Sequence, residues 1–345
     1  MQLFRIEVDD DNREIVKYKS GDFPFLIYTD EFRLFDEGYI RWHWHKDLQI
    51  SYVLNDDICF QVGGKEIVLV PGEGIIFNSN VLHQIKPVNY NCKMISIMFD
   101  QSLITGSEHS LIRKKYVDAV INTNNLDFVV LKRDIDWQNE ILKYIEQTNS
   151  AYNSPDYGYE LEIVNNINWI WLKLIRNLKD KIQSPPKKVS PDDERVKTAI
   201  NYIKANYTHE ISLDDIAKSC NISKSECCRS FKRVLKMTPF EYLMEYRVLK
   251  ATEYLYNTDE SISNICMNVG FNGISYFGKT FKKFMNCTPS EYRNYIKNNK
   301  NVPGHFRSDL IGAGSVMCEH DFRKKCLTFQ NKPSIMAVCI FERKL

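Results

Sequence analysis

Three histidines and a glutamine in the first hundred residues of this 345-residue chain could bind a metal ion or a small polar molecule. His43 and His45 lie in the run RWHWH (41–45), and Gln49 and His83 follow. Successive side chains of a β-strand point to opposite faces, so both histidines share one face and both tryptophans the other. Neutral imidazole coordinates transition metals, and imidazole and amide groups also hydrogen-bond small polar ligands.

Three interpretations of these residues stay open. The histidines are core residues with satisfied hydrogen bonds, or they coordinate a metal ion, or they help to bind a small polar effector. Because the amide of Gln49 is a weak neutral ligand for a cation, we favour the effector site and expect neither a metal nor another cofactor. The predicted effector-binding residues are Arg41, His43, His45, Gln49 and His83. We expect Trp42 and Trp44 to pack in the barrel.

Short strands must position these side chains. Segments rich in β-branched and aromatic residues predict strands at 50–54, 58–62, 66–70, 75–77 and 94–99. The pair Gly63-Gly64 predicts a hairpin turn, since glycine adopts positive φ without steric cost. Closely spaced strands with such turns are typical of a β-barrel or a sandwich.

The hydrophobic period changes after residue 134. The apolar residues of 135–148 and 161–178 show the i, i+3, i+4 spacing of helices. In the second helix the apolar stripe runs from Leu161 to Leu178. Two long apolar helices must pack on the barrel, on each other or on a second copy of the chain. We predict that 135–180 forms a helical dimerisation segment, followed by a proline-containing linker at 181–192.

A repeat of about 50 residues fills the region that follows. FKRVLKMTPFEY (231–242) matches FKKFMNCTPSEY (281–292), which indicates a duplicated supersecondary unit. Each copy has the pattern of a helix-turn-helix, with a short helix at Leu213–Ser219 in the first. Asn221 and Gly270 occupy the predicted turns. Ser223, with Glu226 in a capping box, and Asn272 are the predicted N-caps of the second helices.

The second helix of each unit is predicted to be basic on its outer face. If Phe231 and Phe281 point into the domain, the positively charged residues of each helix point outward. These are Arg229, Lys232, Arg233 and Lys236 in the first unit, and Lys279, Lys282 and Lys283 in the second. A basic face is also typical of any solvated amphipathic helix, but two matched copies favour binding in successive DNA major grooves. The connecting helix Pro239–Asn257 spans about 28 Å, near the roughly 34 Å between major grooves on one face of DNA.

These residues resemble the DNA-binding domain of the AraC/XylS family of bacterial transcription regulators. The motif GF (270–271) followed by FKK (281–283) and TPSEYR (288–293) is characteristic of that family. The resemblance implies that base-facing positions fall on Ser225, Cys228 and Arg229 in the first unit and on Ile274, Ser275 and Lys279 in the second. Cys228 and Ile274 are poor hydrogen-bonding residues, which leaves few polar base contacts.

The front domain resembles a cupin barrel, the sensor domain that many members of this family carry. In metal-binding cupins two histidines, a carboxylate and a later histidine hold a divalent ion, and Gln49 takes the carboxylate position here. Family members with this histidine pattern often respond to sugars. The resemblance therefore implies a carbohydrate effector.

Composition fits an intracellular regulator. Apolar residues make up 43% and charged residues 26% of the chain, and the formal charge of +2 divides into −5 for residues 1–191, +3 for 192–297 and +4 for 298–345. No apolar run is long enough to span a membrane, no signal peptide is evident, and the ten cysteines indicate reduced thiols, so we expect a cytoplasmic protein. Cys318, His320, Cys326 and Cys339 match no known zinc-binding spacing.

We therefore predict an α+β multidomain regulator. Its expected domains are a cupin-like β-barrel (1–134), the helical dimerisation segment (135–180), the linker (181–192), an all-α double helix-turn-helix domain (193–297) and an extension of unknown role (298–345). Expected partners are double-stranded DNA with direct repeats, a small effector, a second copy of the chain and, for an activator, RNA polymerase. The alternative is a metal-dependent cupin enzyme, an oxygenase or isomerase, fused to a DNA-binding module; we expect no catalytic activity.

Overall fold

The structure is a computed structural model that describes residues 9, 13–18, 22–35, 38–89, 91–106, 109–123, 125–184 and 191–298. The predicted extension, including Cys318, His320, Cys326 and Cys339, lies outside these residues except for Asn298, where the last described helix ends.

In the part of the front domain that the structure describes, nine strands form two antiparallel sheets. They are β1 (Phe25–Glu31), β2 (Ile40–His43), β3 (Leu48–Asn55), β4 (Ile58–Val62), β5 (Lys65–Leu69), β6 (Gly74–Phe77), β7 (His83–Pro87), β8 (Lys93–Phe99) and β9 (Phe128–Leu131). One sheet has the order β1-β8-β3-β6-β9 and the other the order β2-β7-β4-β5. The predicted β-rich front domain of the α+β chain is confirmed. Strand β4 has the predicted bounds because Gly63-Gly64 forms the β4–β5 turn with positive φ.

The period-2 alternation of β3 explains the layering of this domain. Gln49, Ser51 and Val53 point to one face of the strand and Leu48, Ile50 and Tyr52 to the other. Val53 packs with Phe60 of the opposite sheet, so the first face looks into the space between the sheets. Ile50 packs with Ile167 and Trp171 of a helix, so the second face is covered by helices.

Twelve α-helices lie within the described residues. They are α1 (Ser102–Thr105), α2 (Asp118–Ile121), α3 (Asp136–Asn153), α4 (Tyr159–Asn177), α5 (Lys179–Gln183), α6 (Asp192–Asn206), α7 (Leu213–Ser219), α8 (Lys224–Val234), α9 (Pro239–Asn257), α10 (Ile262–Asn268), α11 (Ile274–Met285) and α12 (Pro289–Asn298). None of the helices in this part of the chain is both long and apolar enough to cross a bilayer.

The apolar stripes of helices α3 and α4 are buried against other parts of the same chain. Ile163, Ile170 and Leu174 of α4 are buried with the outer face of the five-stranded sheet. Leu161, which the sequence places on the same stripe, is instead 66% exposed. The stripe that suggested dimerisation is therefore occupied, and a dimer through α4 would have to use its opposite face.

Two helix-turn-helix units follow, α7–α8 and α10–α11. Asn221 and Gly270 have the positive φ predicted for their turns, and Thr238 caps α9 in a capping box with Glu241. One predicted cap, Ser223, is wrong in part and another, Asn272, is wrong. Ser223 does cap α8, but the Glu226 carboxylate binds arginines and not the Ser223 backbone. Asn272 does not cap α11, whose N-cap is Gly273.

Arg247, near the middle of α9, joins the two units. Its Nε donates to the carbonyl oxygen of Tyr207 at 2.8 Å and its Nη2 to that of His209 at 2.7 Å, just after α6. The guanidinium also lies 5.8 Å from the centre of the Phe271 ring in the second unit. Gly270 has a φ of +85°, and a Cβ there would lie 2.4 Å from the Tyr207 carbonyl oxygen, so only glycine fits this junction.

We predict that Arg247→Met destabilises the rear domain by about 3 kcal/mol, because it leaves the carbonyl groups of Tyr207 and His209 without their charged donor. Urea unfolding of the full chain followed by circular dichroism measures this loss. The matched control is Lys232→Met, which removes the same charge from an exposed position and should stay within about 0.5 kcal/mol of the wild type. Equal stabilities of the two variants would contradict the joining role of Arg247.

Candidate functional site

The three front-domain histidines meet between the two sheets. His43 of β2 pairs with His83 of β7 across the strands, and His45 follows two residues later on the same face. The ring centres of His43 and His83 are 4.2 Å apart, and those of His45 and His83 are 5.2 Å apart. All three side chains are buried, so the sequence-predicted cluster does form.

Backbone carbonyl groups orient each imidazole. The Nδ1 atoms of His43, His45 and His83 lie 2.7, 2.8 and 2.9 Å from the carbonyl oxygens of Arg41, Asp47 and Val81. A carbonyl oxygen only accepts, so each Nδ1 carries the ring proton and donates it. Each Nε2 therefore presents a lone pair, and one ring nitrogen from each histidine lies within 4.8 Å of the others.

Burial keeps these imidazoles neutral. Desolvation, followed by the charge of His45, lowers the pKa of His43 to about 3. Desolvation also lowers the pKa of His45 and, together with the neighbouring histidines, that of His83. Three neutral imidazoles with converging lone pairs form the type of donor set that binds a divalent transition metal.

Gln49 faces the same point from β3. Its Oε1 atom lies 2.7 Å from His45 Nε2 and 3.0 Å from His83 Nε2, and its Nε2 donates to Ser51 Oγ at 2.9 Å. Arg41 is half-buried and contributes its carbonyl oxygen to the orientation of His43. The structure thus brings the four buried members of the predicted effector site together.

Glu14 is a member of this cluster that sequence reasoning missed. Its backbone N–H donates to the Trp44 carbonyl at 2.8 Å, and its Oε2 lies 3.6 Å from His43 Nε2. Burial, then the charges of Asp30 and Asp47, raises the pKa of Glu14 to about 8. With the pKa of His43 lowered, the contact at neutral pH joins two neutral groups and is not an ion pair. Glu14 lies in no motif, and its position depends on contacts 30 residues away.

Trp42 and Trp44 occupy the opposite face of the same chain segment, as the alternation predicts. The expectation that they pack in the barrel is wrong: they are buried in a cluster with Val196 and Ile200 of α6. The Lys197 ammonium lies 5.4 Å from the Trp44 ring centre and donates to the Asn80 carbonyl at 3.0 Å. Strand-domain residues adjoining the histidines therefore contact the first helix of the DNA-binding region.

The β4–β5 turn makes a second contact with that region. A Cβ atom on Gly64 would lie 2.1 Å from the carbonyl oxygen of Arg233, near the end of α8, so the turn and the helix touch backbone to backbone. A cleft of about 780 Å³ lies beside this contact, with Asn80, Asp127, Arg195 and Glu226 among its lining residues. None of the five predicted effector-binding residues lines this cleft.

The first predicted recognition helix, α8, carries charges that are already paired. Arg229 donates to Glu226 Oε2 at 2.9 Å through Nε, and Arg233 binds Asp192 through Nε and Nη2 at 2.6 and 2.9 Å. Arg233 also contacts Glu226 Oε1 at 2.7 Å. Ser225, Lys232 and Lys236 are exposed and Cys228 is half-buried. Lys236 has a φ of +61° and follows the helix, so it is not on the helix face as predicted.

The second recognition helix, α11, presents its predicted residues to solvent. Phe277 and Phe281 are buried in the unit, whereas Ile274, Ser275, Lys279, Lys282 and Lys283 are all exposed. The exposed residues of the first turn, where major-groove readers contact bases, are Ile274, Ser275 and Tyr276. The assignment of individual DNA-contacting residues stays a prediction.

Two family models match this chain. Residues 27–148 match an AraC-like ligand binding domain and residues 216–295 a helix-turn-helix domain. YdeC of Bacillus subtilis, an uncharacterised HTH-type transcriptional regulator, is 28% identical over 83% of this chain and 97% of its own length. The melibiose operon regulatory protein of Escherichia coli is 22% identical over 73% of this chain and 82% of its own. The lactose operon transcription activator of Staphylococcus xylosus is 37% identical over 31% of this chain and 39% of its own length.

The first match covers the strand domain and most of α3, and the second covers the paired helix-turn-helix units from α7 into α12. The similarity to YdeC extends over both matched regions in the same order along the chain. The chain thus combines an AraC-like ligand binding domain with a helix-turn-helix domain, and it is similar over most of its length to HTH-type transcriptional regulators.

Proposed function

We propose that this regulator is a cytoplasmic, sugar-responsive activator that binds promoter DNA as a homodimer and has no catalytic activity of its own. The observation that carries the proposal is the two-sided segment 41–45, which faces the buried polar cluster on one side and the DNA-binding domain on the other. Relatives named for the melibiose and lactose operons support a sugar as the effector.

DNA binding is proposed to use α8 and α11 in two successive major grooves. The side chains assigned to it are Ser225, Cys228, Arg229, Lys232, Arg233, Ile274, Ser275, Lys279, Lys282 and Lys283. In this proposal the lysines and arginines mainly neutralise phosphates, which positions the protein. A homodimer with four such helices favours operators with two direct repeats and, in an activator, leaves other surfaces for RNA polymerase.

The effector is proposed to bind between the two sheets at Arg41, His43, His45, Gln49 and His83. These residues supply hydrogen-bond donors and acceptors beside the apolar ring of Phe77, which stacks on His83 at 4.2 Å. Hydroxyl groups and ring faces of a sugar suit such a mixed surface. The Glu14 backbone is hydrogen-bonded to Trp44, and the Glu14 carboxylate lies 3.6 Å from His43 Nε2 at the edge of this cluster.

Coupling is proposed to run through Trp42 and Trp44. A ligand that shifts His43 or His45 would also move the adjacent tryptophans, because the residues alternate along one backbone. Those tryptophans pack on α6, which contacts α8. The effector then shifts an existing equilibrium between arrangements of the two domains by its difference in affinity for them.

We predict that Arg229→Ala combined with Lys279→Ala weakens binding to DNA fragments that the wild-type chain selects from a random pool. Each lost phosphate contact lowers the slope of log K against log salt by about 0.9, so the double variant should lose roughly 2 in slope. The matched control, Lys65→Ala with Lys114→Ala, removes two charges from the strand domain and should bind as the wild type does. Unchanged affinity in the Arg229/Lys279 variant would refute the assignment.

We predict that one sugar in a panel including melibiose and lactose raises the melting temperature of the full chain by several degrees, since saturating ligand at 100 Kd adds about 2.7 kcal/mol. Gln49→Leu should abolish this shift, and the control His109→Ala, at an exposed histidine, should retain it. A shift that persists in Gln49→Leu would place the sugar elsewhere. The absence of any sugar-dependent shift in the wild type would refute the carbohydrate effector.

We predict that the chain sediments as a dimer at micromolar concentration and that Leu161→Glu with Trp169→Glu yields a monomer. Both residues are exposed on α4, at 66% and 48%, and charges there would oppose burial of that face. The control is Leu111→Glu with Ile112→Glu, at another exposed apolar pair. A wild-type monomer, or a dimer that tolerates the α4 changes, would show that this face is not the interface.

A further inference from the structure

We propose that Cys220 and Cys227 of the first helix-turn-helix unit form a reversible disulfide bond when the chain reacts with a hydroperoxide, and that this bond weakens DNA binding through α8. The pair lies outside the histidine cluster and outside the residues assigned to DNA contact. The disulfide site is independent of the proposed function, whereas its effect on DNA binding rests on the proposed role of α8.

The turn of this unit brings the two cysteines together. Cys220 is the C-cap of α7, and Cys227 lies in α8. Between them the chain reverses at Asn221, whose φ is +55°, and the Ile222 N–H donates to the Ala217 carbonyl oxygen at 3.1 Å. Both side chains belong to one apolar cluster, in which Cys227 is buried and Cys220 is half-buried. The folded turn therefore places the two thiols side by side.

The proton of the Cys220 thiol is used by the backbone. Cys220 Sγ donates to the carbonyl oxygens of Ile216 and Ala217, at 3.4 and 3.5 Å. A thiol carries one proton, so the lone pairs of this sulfur are left to accept from a second donor. That donor is the Cys227 thiol, which is hydrogen-bonded to Cys220. The sulfur atoms are thus in contact, and a disulfide of about 2.05 Å requires a small approach of the end of α7 to α8.

The other cysteines are not placed to pair with Cys227. Cys228 is the next residue, but adjacent side chains of an α-helix project about 100° apart and do not face each other. Cys59 and Cys92 lie in the strand domain, and Cys266 and Cys287 lie in the core of the second unit. Among the cysteines that the structure describes, Cys220 is therefore the partner of Cys227.

The two thiols differ in reactivity. Burial raises the pKa of both, that of Cys227 to about 12, while the nearby charge of Arg195 offsets part of the rise at Cys220. Because the thiolate is the nucleophile, the half-buried Cys220 reacts first and the buried Cys227 second. The raised pKa values keep the thiolate fraction small at neutral pH. The pair is therefore slow to oxidise and responds to sustained exposure to peroxide.

Oxidation of the pair takes two steps. The Cys220 sulfur attacks one peroxide oxygen and the O–O bond breaks, which gives a sulfenic acid and water, or an alcohol from an organic hydroperoxide. The Cys227 sulfur then attacks the sulfenic sulfur, so that the S–S bond forms, the S–O bond breaks, and the hydroxyl group leaves with the Cys227 proton as water. The two thiols lose two electrons and the peroxide gains them. Exchange with a small thiol reverses the change.

The disulfide acts on α8 because Cys227 lies between residues assigned to DNA contact. Ser225 and Arg229, each two positions away from it, are exposed. Drawing Cys227 toward α7 moves this part of α8 relative to α11, so the two helices no longer match one duplex equally well. The loss of one well-placed contact lowers affinity by about tenfold, which is the effect we expect of the disulfide.

The experiment treats the purified full chain with hydrogen peroxide, blocks the remaining thiols with N-ethylmaleimide and digests the chain with trypsin. Cleavage after Lys218, Lys224 and Arg229 separates Cys220, in peptide 219–224, from Cys227, in peptide 225–229. Mass spectrometry should find these two peptides joined after peroxide and separate after dithiothreitol. The matched control for the linkage is Cys228→Ser, which removes the other thiol of the second peptide and should leave the link intact.

Fluorescence anisotropy measures the effect on a DNA fragment that the reduced wild-type chain selects from a random pool. The oxidised wild type should bind it about tenfold more weakly than the reduced chain, and dithiothreitol should restore the affinity. Cys220→Ala removes one partner at a half-buried position and should make DNA affinity insensitive to peroxide. Cys220→Ser serves the same purpose if the alanine variant does not fold.

The absence of linked peptides in the wild type at saturating peroxide, or their loss in Cys228→Ser, would overturn the disulfide. Equal DNA affinities of the linked and reduced chains would overturn its effect on α8. A reduced wild type that binds no DNA would refute the proposed function and with it the effect on DNA binding. In that case the linked peptides alone would still decide whether the disulfide forms.

Discussion

The alternation of side chains along residues 41–45 is the constraint on which the rest of this molecule depends. Consecutive residues of an extended chain cannot share a face, so His43 and His45 can point between the sheets only if Trp42 and Trp44 point outward. Large aromatic side chains on the outer face of a barrel are stabilised by burial against another element, and here they pack on α6. A shift of one residue in the register of β2 would expose the histidines and bury the tryptophans in their place.

The two sides of this segment differ in how they are held. The histidines are fixed by short hydrogen bonds to carbonyl groups, which tolerate little displacement. The tryptophans are fixed by apolar contact with α6 and by the Lys197 ammonium, which depend less on direction. In the proposed coupling, a displacement that begins at the imidazoles would therefore be transmitted, while the outer contact could adjust without breaking. This difference suits a domain contact that has to change during regulation.

Where local signals mark the ends of an element, its exact bounds could be predicted from the sequence. Features that depend on contacts between distant residues could not. β4 and α9 have the expected bounds because Gly63-Gly64 and the Thr238-Pro239 capping box define their ends. Glu14 joins the histidines only because the chain folds back along Trp44, which no spacing encodes. The Glu226 capping box failed because two arginines, at three and seven positions further along, compete for the same carboxylate. The burial of the tryptophans under α6 required knowing how the domains meet.

The rigid junction at Arg247 has a consequence for the DNA itself. Because α9 spans about 28 Å and is fixed near its middle to the residue after α6, we expect the spacing of the two recognition helices to stay shorter than the roughly 34 Å repeat of straight B-DNA. We expect the duplex to curve toward the protein, at an elastic cost on the order of 1–6 kcal/mol that depends on its sequence. Because Cys228 and Ile274 offer little to base edges, the operator would then be distinguished largely by flexible pyrimidine–purine steps between the contacted grooves.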